Sequence, residues 1–387
     1  MINFIRQFFS LLNYLFPKHH QRVVLLPFPN TEPGSINIAN YLADYSDFKV
    51  YFIVEKEGNI IPRTLLRPQV HIVVKTNRWD YRYLWQVYRS KFVFLTHGCI
   101  LDRFPKRQVV INLWHGLLYK RVGLLADGVG LDATYTIGTS ALTGPMLSAA
   151  FGVPQSSVLR TGYPRNDNLL KGLANRIEII RQLDLKQDYD RIILWMPTYR
   201  QSIKGDIRLD GVDVGNPFYI QDFDIKRFNT LLKEQRTLCL VKPHPMAPKY
   251  TLDIDSSHVH FIDDQWVYDR GLDLYSLVGA TDLLISDVSS IMIDYLLLDK
   301  PIVCISEDFE AYGQTRGFYF EDIEAKIPTQ VLRNQHEFFA FLTQLLSTGV
   351  DPYEQKRMAL KGLFFQYQDD RATERVVAST IGFETKR

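Results

Sequence analysis

Along the 387-residue chain, apolar residues gather in short unbroken runs separated by amphipathic stretches. RVVLLPF (22–28), KVYFIVE (49–55), VHIVV (70–74), KFVFLTH (91–97) and QVVINLWH (108–115) predict strands. Their near-continuous Val, Ile and Leu predict burial on both faces, as in a parallel sheet covered by helices. INIANYLADY (36–45) and WDYRYLWQVYRS (79–90) predict helices between them. The rhythm restarts with RIILWMP (191–197), TLCLVKPHP (237–245), VHFI (259–262), DLLISD (282–287) and PIVCIS (301–306). Strand–helix alternation of this kind predicts right-handed crossovers and two α/β, Rossmann-like domains with a cleft between them. The expected division is an amino-terminal helix (1–20), a first domain (21–175), a second (176–370) and a closing helix (371–387) that returns toward the first. The charged, helix-like stretch 171–190 marks the join.

The first sixteen residues, MINFIRQFFSLLNYLF, are apolar but short for a membrane span, and Arg6 with three amides interrupts them. PKHHQR follows in place of a small-residue cleavage site, which argues against a signal peptide. As a helix, this segment puts Ile2, Ile5, Phe9, Leu12 and Phe16 on one face, while Phe8, Leu11 and Leu15 widen the apolar surface. It either packs on its own domain or lies in a membrane interface, with Lys18, His19, His20 and Arg22 near headgroups. A formal net charge of +2 argues against a dedicated nucleic-acid binder. Cys99, Cys239 and Cys304 lie far apart and fit reduced, buried thiols.

In open α/β sheets ligands bind beyond the carboxyl ends of the strands. The polar residues there are His97, His115, Thr198 with Arg200, His244, and the run Ser286 to Ser290. In SDVSSIMIDY, Ser286, Asp287, Ser289 and Ser290 open a helix, and its unpaired amides and dipole attract phosphate. A helix N-cap accounts for one such residue as readily. In KPHP, Pro243 and Pro245 fix the backbone around His244, and Lys242 adds charge suited to a pyrophosphate; a turn-paired histidine is the plainer reading. In WHG, Gly116 allows close approach to the backbone behind His115, with Lys120 one turn on. Alone, His115 fits a structural histidine; across a cleft from His244 and Asp287 it is a candidate base for an alcohol proton. In GYPRND, Arg165 grips an anion or pairs with Asp167. Thr198 and Arg200 of PTYR suit phosphate, and Arg316 of RGFYF lines a nucleotide pocket or packs in a loop. No Walker A loop, GxGxxG or GxSxG is present, and no cluster has metal-site spacing, so no metal or cofactor is expected.

WHG (114–116), GYPRND (162–167), PTYR (197–200), KPHP (242–245), SDVSSIMIDY (286–295) and RGFYF (316–320), in this order, resemble the CDP-glycerol glycerophosphotransferase family of teichoic acid and capsule synthesis. DDRATERV near the end is similar to that family's closing helix, with Arg371 where a glycine is common. The resemblance implies a GT-B-like fold and transfer of glycerol phosphate from CDP-glycerol to a hydroxyl of a polyprenyl-diphosphate-linked glycan, releasing CMP. It implies His115 as base, His244 as support for the pyrophosphate, and the turn 287–290 as a holder of donor phosphates. It also favours an enzyme at the cytoplasmic face of the membrane. Trp79, Tyr81, Tyr83, Trp85 and Tyr88, interleaved with Arg78, Arg82 and Arg89, then form a second membrane-facing surface or cover the first sheet. Polymerases of this family often carry an extra amino-terminal domain, so the chain length favours a priming enzyme. The alternatives are a CDP-ribitol enzyme, a GT-B glycosyltransferase that releases a nucleoside diphosphate, and a non-catalytic nucleotide-binding or membrane-scaffold protein.

Overall fold

The computed structural model describes residues 2–56, 60–116, 119–126, 128–200, 214–244, 247 and 257–382. The first sheet has seven strands: β1 (His19–Leu26), β2 (Lys49–Glu55), β3 (His71–Lys75), β4 (Ser90–Leu95), β5 (Val109–Asn112), β6 (Tyr135–Gly138) and β7 (Val158–Arg160). Their order is β3-β2-β1-β4-β5-β6-β7, and every pair is parallel. The second sheet comprises β8 (Arg191–Met196), β9 (Thr237–Val241), β10 (Val259–Phe261), β11 (Leu283–Ser286), β12 (Ile302–Ile305) and β13 (Val331–Leu332). Its order is β10-β9-β8-β11-β12-β13, again all parallel. Both sheets are doubly wound, with the strand order reversing beside β1 and β8.

Burial on both faces explains the unbroken apolar runs. Val23 and Leu25 of β1 pack into one cluster and Val24 into another on the opposite face. In β11, Leu284 serves one face while Leu283 and Ile285 serve the other. This period of two is the pleat of a strand with helices on either side. The cluster that holds Val23 and Leu25 continues to Leu194 and Leu284 of the second sheet, so the halves share packed apolar contact.

Helix Arg165–Ala174 makes much of that contact by lying against helix Leu274–Ala280 of the second half. A Cβ on Gly172 would come 2.2 Å from the Ser276 carbonyl oxygen, and one on Gly279 would come 2.0 Å from that of Leu169. Only glycine lets the two backbones approach so closely. The last helix, Ala372–Ile381, packs against α2 (Pro33–Tyr45) and the same helix Arg165–Ala174.

α1 (Ile2–Leu15) packs on its own domain along one face and is exposed along the other. Phe9, Leu12 and Phe16 pack on the cluster that covers β1, β4 and α3 (Tyr81–Arg89). The Asn13 side chain is fully buried and donates to Gln108 (2.9 Å), which in turn donates to the Val87 and Ser90 carbonyls. The opposite face leaves Phe8, Leu11 and Leu15 half to three-quarters exposed. The aromatic run in α3 divides likewise: Tyr83 and Tyr88 are buried in the domain, while Tyr81 and Trp85 face outward. No helix among the described residues is long and apolar enough to cross a membrane. Cys239 and Cys304 are buried, Cys99 is half-buried, and all three are free thiols.

Candidate active site

The question of why a strand should end in Trp-His-Gly has a local answer. The Asn112 side chain turns back and accepts from the Trp114 backbone N–H (3.0 Å), which closes β5. Trp114 then adopts φ 52°, a left-handed conformation that is uncommon for so bulky a residue. Its indole is held edge-on by Phe151 at 4.6 Å. Such strain persists where surrounding packing over-determines it, and it clusters at functional sites. Here it throws His115 out of the sheet toward the second half of the molecule.

His115 Nδ1 lies 3.2 Å from the Thr96 carbonyl oxygen. A carbonyl accepts only, so Nδ1 carries the proton and Nε2 keeps its lone pair. The ring stacks on His97, centroids 4.0 Å apart and planes 7° from parallel, and keeps an exposed edge. Crowding by protein atoms, followed by the neighbouring His97, pushes its pKa well below the ordinary histidine value. His244 is also felt at His115. Burial, then Lys242 and Lys120, push His244 itself down to about 4. His244 packs on the Tyr199 ring at 4.7 Å. Pro245, expected to fix it from the far side, lies outside the described residues.

Gly116 meets the second half directly. A Cβ there would sit 2.8 Å from Ser290 Oγ, so the Trp-His-Gly turn rests against the residue that opens helix Ile291–Tyr295. The Ser290 side chain makes no capping hydrogen bond, which leaves its hydroxyl for the cleft. Lys120 belongs to the same cleft. It pairs with Phe318 in an antiparallel bridge, lies 5.0 Å over the Tyr312 ring, and acts on His244. Arg121 extends this bridge by donating from its backbone N–H to Gly317 O (3.1 Å) and from Nε to Phe318 O (3.1 Å). The RGFYF segment thus joins the two halves, with half-buried Arg316 at its start.

Several expected anion ligands have other work. Asp287 accepts from the Thr198 backbone (3.1 Å), from Thr198 Oγ1 (2.6 Å) and from Arg200 Nη1 (2.7 Å). Arg200 is 1% exposed and also grips Asp308 through Nε and Nη2 (2.6 and 2.8 Å). One guanidinium shared by two carboxylates is an internal clamp across the ends of β8, β11 and β12, not an anion site. Asp308, its second carboxylate, escaped sequence reasoning because no motif marks it. Ser286 Oγ is spent on the Met196 carbonyl (2.6 Å). Buried Lys242 pairs with Asp264 at 2.9 Å. Ser289 stays partly accessible at the turn.

GYPRND is corrected on both counts. Arg165 is buried and does not pair with Asp167. It donates to Asp294 Oδ2 of the second half (3.1–3.2 Å), which also accepts from Tyr275 (2.7 Å). Asp167 caps the last helix by accepting from the Ala372 and Thr373 backbone N–H groups (2.9 Å each). An acidic side chain that is 1% exposed and bonded in this way cannot hold an anion. Among the described residues, no group of His, Cys, Asp and Glu is arranged to hold a metal ion.

Comparison with known proteins agrees with this architecture. The structure of the wall teichoic acid polymerase TagF superposes with a TM-score of 0.76 at 20% identity, covering 98% of this chain and 93% of that one. The UDP-GlcNAc 2-epimerase of Neisseria meningitidis superposes at 0.53 with 11% identity, covering 94% and 100%. Two parallel-sheet α/β domains in this GT-B-like arrangement are therefore the fold. In sequence, the teichoic acid ribitol-phosphate polymerase TarL of Staphylococcus aureus is 29% identical over 81% of this chain. The chain spans 56% of TarL's length, about half of a longer protein. The teichoic acid glycerol-phosphate transferase of the same organism is 26% identical over 87% of this chain and 86% of its own length. The sequence profile described as CDP-glycerol:poly(glycerophosphate) glycerophosphotransferase matches residues 8–381, and the chain belongs to that family of enzymes.

Proposed function

We propose that the chain transfers glycerol phosphate from CDP-glycerol to a hydroxyl of a polyprenyl-diphosphate-linked glycan, in teichoic acid or capsule-type polymer synthesis, as a priming enzyme. The observation that carries this reading is the meeting of His115, Gly116, Ser290, Lys120 and His244 in one interdomain cleft. The acceptor oxygen attacks the β-phosphorus of the donor, and the bond to the bridging oxygen breaks. CMP departs with that electron pair, and the hydroxyl proton passes to Nε2 of His115. Lys120 and His244 face the charge that develops on the leaving phosphate, and Ser290 donates to the transferred one. A low pKa keeps both histidines neutral in the empty cleft; a bound diphosphate raises both by its charge.

Similarity to the S. aureus teichoic acid glycerol-phosphate transferase along most of both chains favours glycerol as the transferred unit. A second reading, ribitol phosphate, rests on 29–30% identity to ribitol-phosphate polymerases. Incubation with CDP-glycerol, CDP-ribitol and a lipid-linked disaccharide, reading CMP and product length, separates them. CMP release with CDP-glycerol and one added unit is expected; release of a nucleoside diphosphate from a nucleotide sugar instead would end the proposal.

We place the enzyme peripherally at the cytoplasmic face of the membrane. Leu11 and Leu15 are exposed on the outer face of α1, and Phe9 and Phe16 with Tyr81 and Trp85 of α3 line an apolar groove of about 500 Å³ beside it. Leu11→Glu with Leu15→Glu should abolish sedimentation with anionic liposomes and leave CDP-glycerol affinity intact. Truncating α1 would confuse that test by removing the buried Asn13–Gln108 bond.

A further inference from the structure

His97 stands at the carboxyl end of β4, next to the strand that delivers His115, and the reaction above does not use it. One ring face is taken up by His115 at 4.0 Å, and the Phe28 ring meets it edge-on at 4.7 Å. Its Nδ1 is buried with no hydrogen-bond partner among the described residues. A buried ring nitrogen without a partner is costly to keep, and it points to a missing hydrogen-bonding group.

His97 also lines a pocket of about 390 Å³ beyond the ends of β1, β2 and β4. Three cations and one carboxylate border it: Arg6, Lys75, Arg78 and Glu55. Lys75 pairs with Glu55 (2.8 Å) and Arg6 with Asp102 (2.6 Å). Arg78 is exposed, and its recorded contact is with the face of Trp79 at 5.7 Å. The pocket therefore offers a guanidinium without an ion pair among the described residues, carboxylate oxygens that accept from hydroxyls, an imidazole in its lining, and an aromatic wall. A guanidinium matches phosphate oxygens two at a time. Acceptors beside an aromatic wall suit the hydroxyls and C–H faces of a sugar or polyol.

We propose that this pocket is the acceptor subsite for a phosphorylated sugar or polyol unit, and that His97 positions that unit against His115. The proposal rests on the transferase reading given above and narrows its acceptor from a bare glycan to one that already carries a phosphorylated unit. Arg78 holds the phosphate ester, Glu55 and His97 hold hydroxyls, and the stacked pair sets the free hydroxyl beside the base. His97 acts here as a positioning residue, not a proton acceptor.

The test uses the full chain with CDP-glycerol and two synthetic prenyl-diphosphate disaccharides, one bearing a terminal glycerol phosphate and one without it. Arg78→Ala, at an exposed position that should not disturb folding, is expected to raise KM at least tenfold for the phosphorylated acceptor only, with kcat held within twofold. His97→Asn should raise KM for both acceptors. Donor affinity, read by calorimetry, should not change in either variant. Wild-type acceptor KM values in both folded variants would overturn the proposal. If the unmodified protein releases no CMP, the transferase reading falls, and the pocket is judged by direct binding of glycerol 3-phosphate. Binding weakened tenfold by Arg78→Ala supports it. Unchanged binding, or inorganic phosphate bound as tightly as glycerol 3-phosphate, overturns it.

Discussion

The two walls of the cleft are built on opposite plans. On the first-sheet wall, His115 and Gly116 come from a strained turn, and two ring nitrogens have no hydrogen-bond partner among the described residues: Nε2 of His115 and the buried Nδ1 of His97. On the second-sheet wall, Thr198, Arg200, Asp287, Lys242 and Ser286 satisfy one another or their neighbours, and Ser290 reaches the cleft with no capping bond. Residues of similar chemistry at similar strand ends thus divide into those that face a ligand and those that shape the wall behind it. The difference lies in partners, not in residue type.

Variants can break that contrast. The largest effect is expected at the open wall: His115→Ala should lower CMP release by about 10²–10⁴-fold, the usual contribution of a positioned proton acceptor. Its unfolding midpoint should match the parent's, and full turnover would remove His115 from the reaction. On the closed wall the cost should appear in stability. Arg200→Met leaves Asp287 and Asp308 buried without their cation, so urea denaturation should show a loss of about 3–5 kcal/mol. Ser290→Ala is the matched control. Its stability should stay within about 0.5 kcal/mol of the parent while donor affinity falls. A stability loss at Ser290 as large as at Arg200 would erase the distinction between the walls.

Gly116→Ala sharpens the contact between walls, because its Cβ would press on Ser290 Oγ at 2.8 Å. Turnover should fall while folding is retained; an unaffected rate would show that the walls need not meet so closely. The smallest expected effect is a pH slope. His97 and His244 are each held at about 4 when folded, mainly by burial, against an ordinary value of 6.5. Between those values the unfolded chain binds more protons, so stability is level above pH 6.5 and falls as pH drops toward 4. Thermal melts of His244→Gln over this interval should show a shallower slope than the parent; an equal slope would mean that His244 does not titrate there.

The contrast also explains what the sequence could disclose. Ten strands were legible as apolar runs, the inner ones because they are buried on both faces, and the edge strands β3 and β10 although they are only partly buried. β6 (YTIG), β7 (VLR) and β13 (VL) were not. The local setting of His115 and His244 was visible from flanking Gly and Pro. The partner of Arg165 was not, because Asp294 lies 129 positions away and only the packing of the two halves brings them together. Asp167 was read as a possible partner of Arg165 because the helix it caps begins 205 residues later. Short-range signals identify which residues sit at a strand end; long-range pairing decides which of them remain available.

The tether of α1 has a mechanical consequence. Asn13 and Lys18 bind this helix to Gln108 and to the main chain where α3 passes into β4, so it is no loose tail. Whatever surface gathers on Leu11 and Leu15 must carry the inner strands β4 and β5, and His115 with them, at a fixed stand-off. On the membrane-bound reading proposed above, the helix would work as a ruler, sorting lipid-linked acceptors by how far their hydroxyl stands from the lipid as well as by how tightly they bind.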